Sequence, residues 1–342
     1  MGEWSSVQDS APRAEYKGTT GFNPRGCIMK RLVLLFILIF TLSSSPVYAY
    51  WLWTPKTGKW VNPKTSVKPS PKEQFDFAKG LYEAKEYEDA KREFKKILKN
   101  YPKSSEAAES QFYLGQIEED KGNLWGAYQD YQKVIDKYPF SERITDIIKR
   151  EYNIAEKFMS GAKRKALGMT IPVENPAVEI FQKVVENSQY GPLAAKAQYK
   201  LGLVLKSLQE FYDAEDAFNK VVTNYPDSEW TAAAKFQIAS CRASLSRGPA
   251  YDQVASKEAK DKFEEFVRVH PDAELSKEAE KNIESLNEKE SESNYDIARF
   301  YEKQKNYKSA ESYYNAIIDD NPRSIWAAKA LERLKIMESL RK

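Results

Sequence analysis

Residues 75–104 read FDFAKGLYEAKEYEDAKREFKKILKNYPKS, and this stretch decides the fold. A small residue, Ala78, sits in one helical period and an alanine, Ala90, in the next. Phe94 follows Ala90 by four residues, Ile97 comes three later, and Pro102 five after that. Apolar residues at three- and four-residue intervals mark amphipathic helices. Proline ends the second helix, because the residue before it is pushed out of the helical region. Ser104 then stands where a serine caps the next helix.

Outward from this stretch the pattern returns five times. The alanines are Ala127, Ala177, Ala214, Ala259 and Ala310, followed by Tyr131, Phe181, Phe218, Phe263 and Tyr314. Val134, Val184, Val221, Phe266 and Ile317 come next, and then Pro139, Pro226, Pro271 and Pro322. The third unit has Tyr190-Gly191-Pro192 in place of its proline. Each first helix has its own small residue: Gly115, Ala155, Gly202, Ala239 and Ala298 after Ala78. Small residues let two helices approach closely, and the large aromatic fills the groove between neighbouring hairpins. This is the pattern of an all-α tetratricopeptide-repeat superhelical solenoid of about six helical hairpins.

Insertions are expected between the two helices of the third unit (about 161–175) and of the fifth (about 246–256). A helical pattern with only polar interruptions predicts one long helix over 275–303, shared by the fifth and sixth units. Residues 325–342 read as a capping helix, with Glu332, Arg333, Lys335, Glu338 and Arg341 on its outer face. The repeats proper are expected over 71–324.

The N-terminal part carries an address. Met29-Lys30-Arg31 precedes an apolar run from Leu32 to Leu42, and Val47-Tyr48-Ala49 follows. The run is too short to span a bilayer, which needs about 20 apolar residues. Residues 29–49 read as a signal peptide cleaved after Ala49. Residues 1–28 then read as a non-native upstream extension, with Met29 as the start. Residues 50–70 read as a Trp-rich hairpin and a Pro-rich linker. In that hairpin Trp51 and Trp53 share a strand face, Lys56 to Lys59 turn, and Trp60 returns opposite them. It is either a tongue that docks on a partner or at a membrane interface, a hairpin folded back on the first repeat, or a disordered leader.

The candidate binding residues are the ring three before each small residue of the first helix: Phe75, Phe112, Tyr152, Tyr199, Phe236 and Tyr295. Two readings are open. The rings either line a groove for an extended peptide or belong to the inter-repeat core. Their polar neighbours are Lys79, Gln116, Glu156 and Arg299, which do not form a Lys/Asn carboxylate clamp.

The rest of the sequence argues against chemistry. Lys and Arg number 53 against 50 Asp and Glu, a balance without a nucleic-acid signature. Cys27, Cys241 and the single histidine, His270, offer no disulfide framework, metal-spaced cluster or nucleophile–base pair. Catalytic residues, metal ligands and cofactors are therefore all expected to be none, and the chain is expected not to be an enzyme.

A resemblance joins these readings. The run Tyr295-Asp296-Ile297-Ala298-Arg299-Phe300-Tyr301-Glu302-Lys303, then Tyr307-Lys308-Ser309-Ala310, Tyr313-Tyr314 and Asn321-Pro322, resembles the C-terminal part of the BamD/YfiO-like outer membrane assembly factors. The long helix before it, the inserted fifth unit and residues 84–102 are similar too. The resemblance implies a periplasmic scaffold at the inner face of the outer membrane, in peripheral association with it. Its implied partners are an Omp85-type barrel assembly protein and unfolded outer-membrane protein segments. The chain departs from that family in having no lipobox cysteine after the apolar run and six units rather than five. The alternative is a CpoB/YbgF-like periplasmic tetratricopeptide coordinator of cell division, which also carries Tyr-Pro-x-Ser units after a cleavable signal.

Overall fold

A computed structural model of the chain describes residues 51–55, 58–62, 66–163, 165–166, 169–170, 175–246 and 253–341. The expected extension 1–28 and signal peptide 29–49 lie outside the described residues. The chain divides into two units, residues 1–66 and 67–342.

In the first unit, β1 (Leu52–Thr54) pairs antiparallel with β2 (Lys59–Val61), and Trp53 stands opposite Trp60. The turn falls one residue earlier than the sequence suggested, since the ladder closes between Thr54 and Lys59. Pro55 has no N–H to give to the ladder, and Gly58 takes a left-handed φ of 60° on the way back.

In the second unit thirteen helices follow one another among the described residues. The first three hairpins pair α1 (Pro71–Glu83) with α2 (Tyr87–Asn100), α3 (Ser105–Asp120) with α4 (Leu124–Lys137), and α5 (Ile144–Met159) with α6 (Pro176–Asn187). The next two pair α7 (Ala194–Ser207) with α8 (Phe211–Asn224), and α9 (Trp230–Leu245) with α10 (Gln253–Val269). The sixth pairs the end of α11 (Glu274–Lys303) with α12 (Tyr307–Asp320), and α13 (Ile325–Arg341) closes the array. The chain is thus an all-α tetratricopeptide-repeat solenoid. In the third-unit insertion Lys165–Ala166 (β3) and Met169–Thr170 (β4) form a minimal antiparallel pair that the helical pattern did not foretell.

The repeat residues form the core. Ala90, Ala127, Ala177, Ala214, Ala259 and Ala310 are all 0 % exposed, as are the six second-helix rings four residues later. The small residue of the first helix must stay small where a ring lies against it. A Cβ built on Gly115 would stand 2.5 Å from Tyr131, and one on Gly202 would stand 2.6 Å from Phe218.

Two kinds of turn punctuate the array. Between the helices of a unit a left-handed residue ends the first helix: Lys85, Gly122, Gly161, Gln209 and Lys305. The next N–H then bonds back five residues, as in Glu86 to Leu81, Asn123 to Glu118 and Asn306 to Tyr301, which closes the helix end. Between units the residue before proline accepts from the N–H three later, so Tyr101 accepts from Ser104 and Tyr225 from Ser228. Serine capping is uneven: Ser324 Oγ accepts from the Ala327 N–H at 3.0 Å, whereas Ser104 makes no side-chain cap bond.

A polar tie accompanies the core, and the sequence reading missed it. In the first, second and fourth units the residue before the first-helix ring reaches the second helix 19 residues on. Gln74 Nε2 donates to Glu93 at 2.7 Å, Gln111 Nε2 to Asp130, and Gln198 Nε2 to the Ala217 carbonyl at 3.0 Å. In the third unit this position is Glu151, fully buried, and its carboxyl accepts from Gln132 Nε2 on α4 at 3.0 and 3.1 Å. Burial raises its pKa from the ordinary 4.5 to about 8, against the lowering effect of that hydrogen bond and with a small push from Asp136.

The raised folded-state value means that this group's stability term is fully present below about pH 4.5 and is lost as pH rises through about 8. Glu151→Gln removes that slope. Between pH 6 and 9 the wild-type melting temperature should fall by roughly 5 °C more than that of the variant, read by circular dichroism. Gly115→Ala and Gly202→Ala should each cost about 1–3 kcal/mol through the ring clash. Gly80→Ala, with nothing within 4 Å of its Cβ, should instead gain about 0.5–1 kcal/mol. Urea midpoints separate the two cases.

Candidate protein-binding face

From α1 to α9, the first helices of successive units reach one another through side chains. Their rings form a regular series, each against the second-helix ring of its own unit. Phe75 meets Phe94 at 5.8 Å between centroids, Phe112 meets Tyr131 at 5.6 Å, and Tyr152 meets Phe181 at 5.6 Å. Tyr199 meets Phe218 at 5.5 Å, Phe236 meets Phe263 at 5.5 Å, and Tyr295 meets Tyr314 at 5.6 Å. Such tilted and edge-on pairs add about 0.5–1.5 kcal/mol beyond the area they bury.

The following unit covers these rings from above. The Arg143 guanidinium lies 4.8 Å over Phe112, Trp230 packs 5.1 Å from Tyr199, and Trp326 packs 5.3 Å from Tyr295. Phe112 and Phe236 are consequently 2 % exposed, Tyr152 3 % and Tyr199 8 %. Of the two readings left open, these four positions are hairpin core. Only Phe75 and Tyr295, near the two ends of the array, stay half-buried.

What the face presents instead is a polar rail joining α1 to α3, α3 to α5, α5 to α7 and α7 to α9. Tyr82 OH donates to Asp120 at 2.8 Å, linking α1 to α3. Arg143 grips Glu109 at 2.8–3.1 Å, and Arg150 donates to Glu119 at 3.0 Å, linking α3 to α5. Glu156 and Lys200 pair at 3.5 Å across α5 and α7. Lys206 donates to Gln237 Oε1 and Ser240 Oγ, each at 2.7 Å, across α7 and α9.

The last joint repeats an earlier one. Arg333 pairs with Glu302, which also accepts from Tyr314 OH at 2.9 Å, as Glu119 accepts from Tyr131 OH at 2.8 Å. Arg150–Glu119, Arg333–Glu302 and Gln237–Lys206 are each 31 residues apart, and that spacing was the available signal in the sequence. Arg333 therefore turns inward instead of sitting on the outer face of the cap, while Glu332, Lys335 and Glu338 are exposed.

The remaining candidates are placed as follows. Trp51, Trp53 and Trp60 are 58, 51 and 62 % exposed, and the last two meet edge to face at 5.7 Å. His270 lies beside Phe266 at the end of α10. Cys241 is fully buried, and burial pushes its thiol up to about 11, leaving it protonated and unreactive. Among the described residues no three acids, histidines or cysteines gather into a metal site, and no helix is long and apolar enough to cross a membrane.

Comparison with known proteins agrees with this fold. Two tetratricopeptide-repeat families match residues 75–142 and 196–228. The YfiO family, described as outer membrane lipoprotein, matches residues 247–341. No curated protein sequence matches the chain. Among solved structures, the C-terminal part of a TPR repeat-containing protein from Cytophaga hutchinsonii is 18 % identical, with 90 % of this chain and 97 % of that one covered and a TM-score of 0.34. YrrB, a TPR protein with an unusual peptide-binding site, is 15 % identical, with 70 % and 97 % covered and a TM-score of 0.30. A thermophilic TPR protein from Thermus thermophilus is 15 % identical, with 64 % and 98 % covered and a TM-score of 0.30. The repeats are those of a protein-interaction scaffold.

Burial of the rings carries a measurable cost. Phe112→Ala and Phe236→Ala should each lower stability by roughly 3–5 kcal/mol, and Phe75→Ala by less. Chemical denaturation of the three variants orders them.

Proposed function

We propose that the chain is a non-enzymatic periplasmic scaffold acting in the assembly of outer-membrane β-barrel proteins. The observation that carries this reading is the YfiO match over residues 247–341. That stretch takes in α10, the long α11, the sixth hairpin and the cap, where the chain departs most from a plain repeat array. An Omp85-type barrel protein and unfolded barrel segments are the partners this role requires. The first-helix face receives them, with Phe75 and Tyr295 as the rings still open to contact. The exposed tryptophans of the β1–β2 hairpin suit a membrane interface, where an indole keeps one end apolar and one wet.

One observation favours a second reading. No cysteine stands directly after the apolar run at 32–42, as in a coordinator of cell division that carries no lipid. Purification from cross-linked, detergent-solubilised envelopes distinguishes the two. Recovery of an Omp85-type barrel supports the assembly role. Recovery of cell-constriction proteins without that barrel transfers the assignment to the second reading.

A further inference from the structure

The charge of the binding face is divided along its length. Helix α3 carries Glu106, Glu109, Glu118, Glu119 and Asp120 and no Lys or Arg. Helices α7 and α9 carry Lys196, Lys200, Lys206, Lys235 and Arg242 and no Asp or Glu. Most of the cations on the rail are neutralised: Arg143, Arg150, Lys200 and the cap's Arg333 each meet a carboxylate of a neighbouring first helix. Lys206 does not. Its ammonium rests on the neutral oxygens of Gln237 and Ser240; the Glu278 carboxylate acts on it from beyond salt-bridge distance, and no carboxylate of the described residues pairs with it directly. An ammonium has three N–H bonds to donate, so one remains.

Lys196 is the second such cation. Its ammonium stands 5.2 Å from the Tyr152 ring and 5.9 Å from the Trp230 ring, between the first helices of the third and fifth units. Aromatic faces hold a cation in place without cancelling its charge. Lys196, Tyr199, Leu203 and Lys206 fall at i, i+3, i+7 and i+10, which is one stripe of α7. The two lysines are thus held on one stripe of one helix, in partly buried surroundings where burial already lowers the Lys206 pKa. A positive charge in such a place gains more from a carboxylate than one in open water.

We propose that this part of the face docks an extended, acidic protein segment, with Lys196 and Lys206 each taking one carboxylate. Ten residues of helix place the two lysines about 15 Å apart, at about 1.5 Å per residue. An extended chain covers that distance in four to five residues at about 3.3 Å each, and only an even spacing keeps both side chains on one side of the strand. The segment therefore carries its two acids four residues apart, with small or apolar residues between them facing Leu203. The inference rests on the scaffold reading only in requiring that the face bind protein; it names the chemistry of what is bound.

The test uses the purified full chain and a fluorescent nine-residue peptide with glutamates at positions i and i+4 among serine, threonine and valine. Anisotropy should show saturable binding, weakened about tenfold by Lys196→Gln and by Lys206→Gln, the loss of one charge-assisted hydrogen bond in each case. Lys206→Arg should retain most of the affinity, and Lys262→Gln, on α10, should change nothing. Moving the second glutamate to i+3, or replacing both by glutamine, should weaken the peptide about tenfold. Melting curves establish that each variant is folded. Absence of binding to the wild type, equal binding of the glutamine peptide, or unchanged affinity in the folded lysine variants would each overturn the proposal. So would capture of phosphatidylglycerol vesicles through the same lysines in preference to the peptide. An envelope cross-link to a barrel protein that survives both lysine substitutions would sink the acidic-segment site and leave the scaffold role standing.

Discussion

Each hairpin depends on one contact: a ring on the first helix against a ring on the second, with a small residue beside them. Small residues such as Gly115 and Gly202 let the second-helix ring lie almost on the backbone of the first helix. The two helices can then come close enough for the alanines to be wholly enclosed. The pairs recur at 5.5–5.8 Å in all six units, although both ring types vary between Phe and Tyr. The spacing is set by the approach of the backbones, and the side chains conform to it. The two insertions enter at the turn inside a hairpin, so they leave that contact intact.

Much of the architecture could be read from the chain because it is written in period and punctuation. Alanine and ring mark each second helix and proline marks the end of five of the six, and the absence of Gly and Pro between Glu274 and Lys303 marks α11. The turns inside the hairpins were less legible. Left-handed positions usually announce themselves by glycine, but here Lys85, Gln209 and Lys305 occupy three of them. Depth was not legible either. Periodicity tells which way Phe112 or Tyr199 faces, but Arg143 and Trp230, which cover them, come from the next unit. The rail needed both facts at once, because Glu119 and Arg150 are far apart in sequence and meet only when two units are stacked.

Polar groups in this fold differ in what they are asked to tolerate. Gln74, Gln111 and Gln198 cross each hairpin as neutral amides, a modest cost because each finds a partner. Glu151 holds the same place with a group that can ionise, and it faces an amide where a cation would have steadied its charge. The junction between the second and third hairpins thus contains a buried carboxyl whose burial raises its pKa to about 8. On the open face the same contrast runs in reverse: Lys206 is a cation among neutral acceptors, but near enough to the surface for an outside group to reach it.

Helix α11 alters the mechanics of the array. Other neighbouring units are joined by a proline-containing turn. The fifth and sixth are joined by 30 continuous residues of helix, about 45 Å of unbroken backbone ladder. Its first half packs on α10 and its second on α12. The last two hairpins therefore share one continuous helix, while the cap follows α12 through the turn at Pro322. A shift of α11 is thus felt by α10 and α12 alike, a covalent coupling that units meeting at a turn do not have.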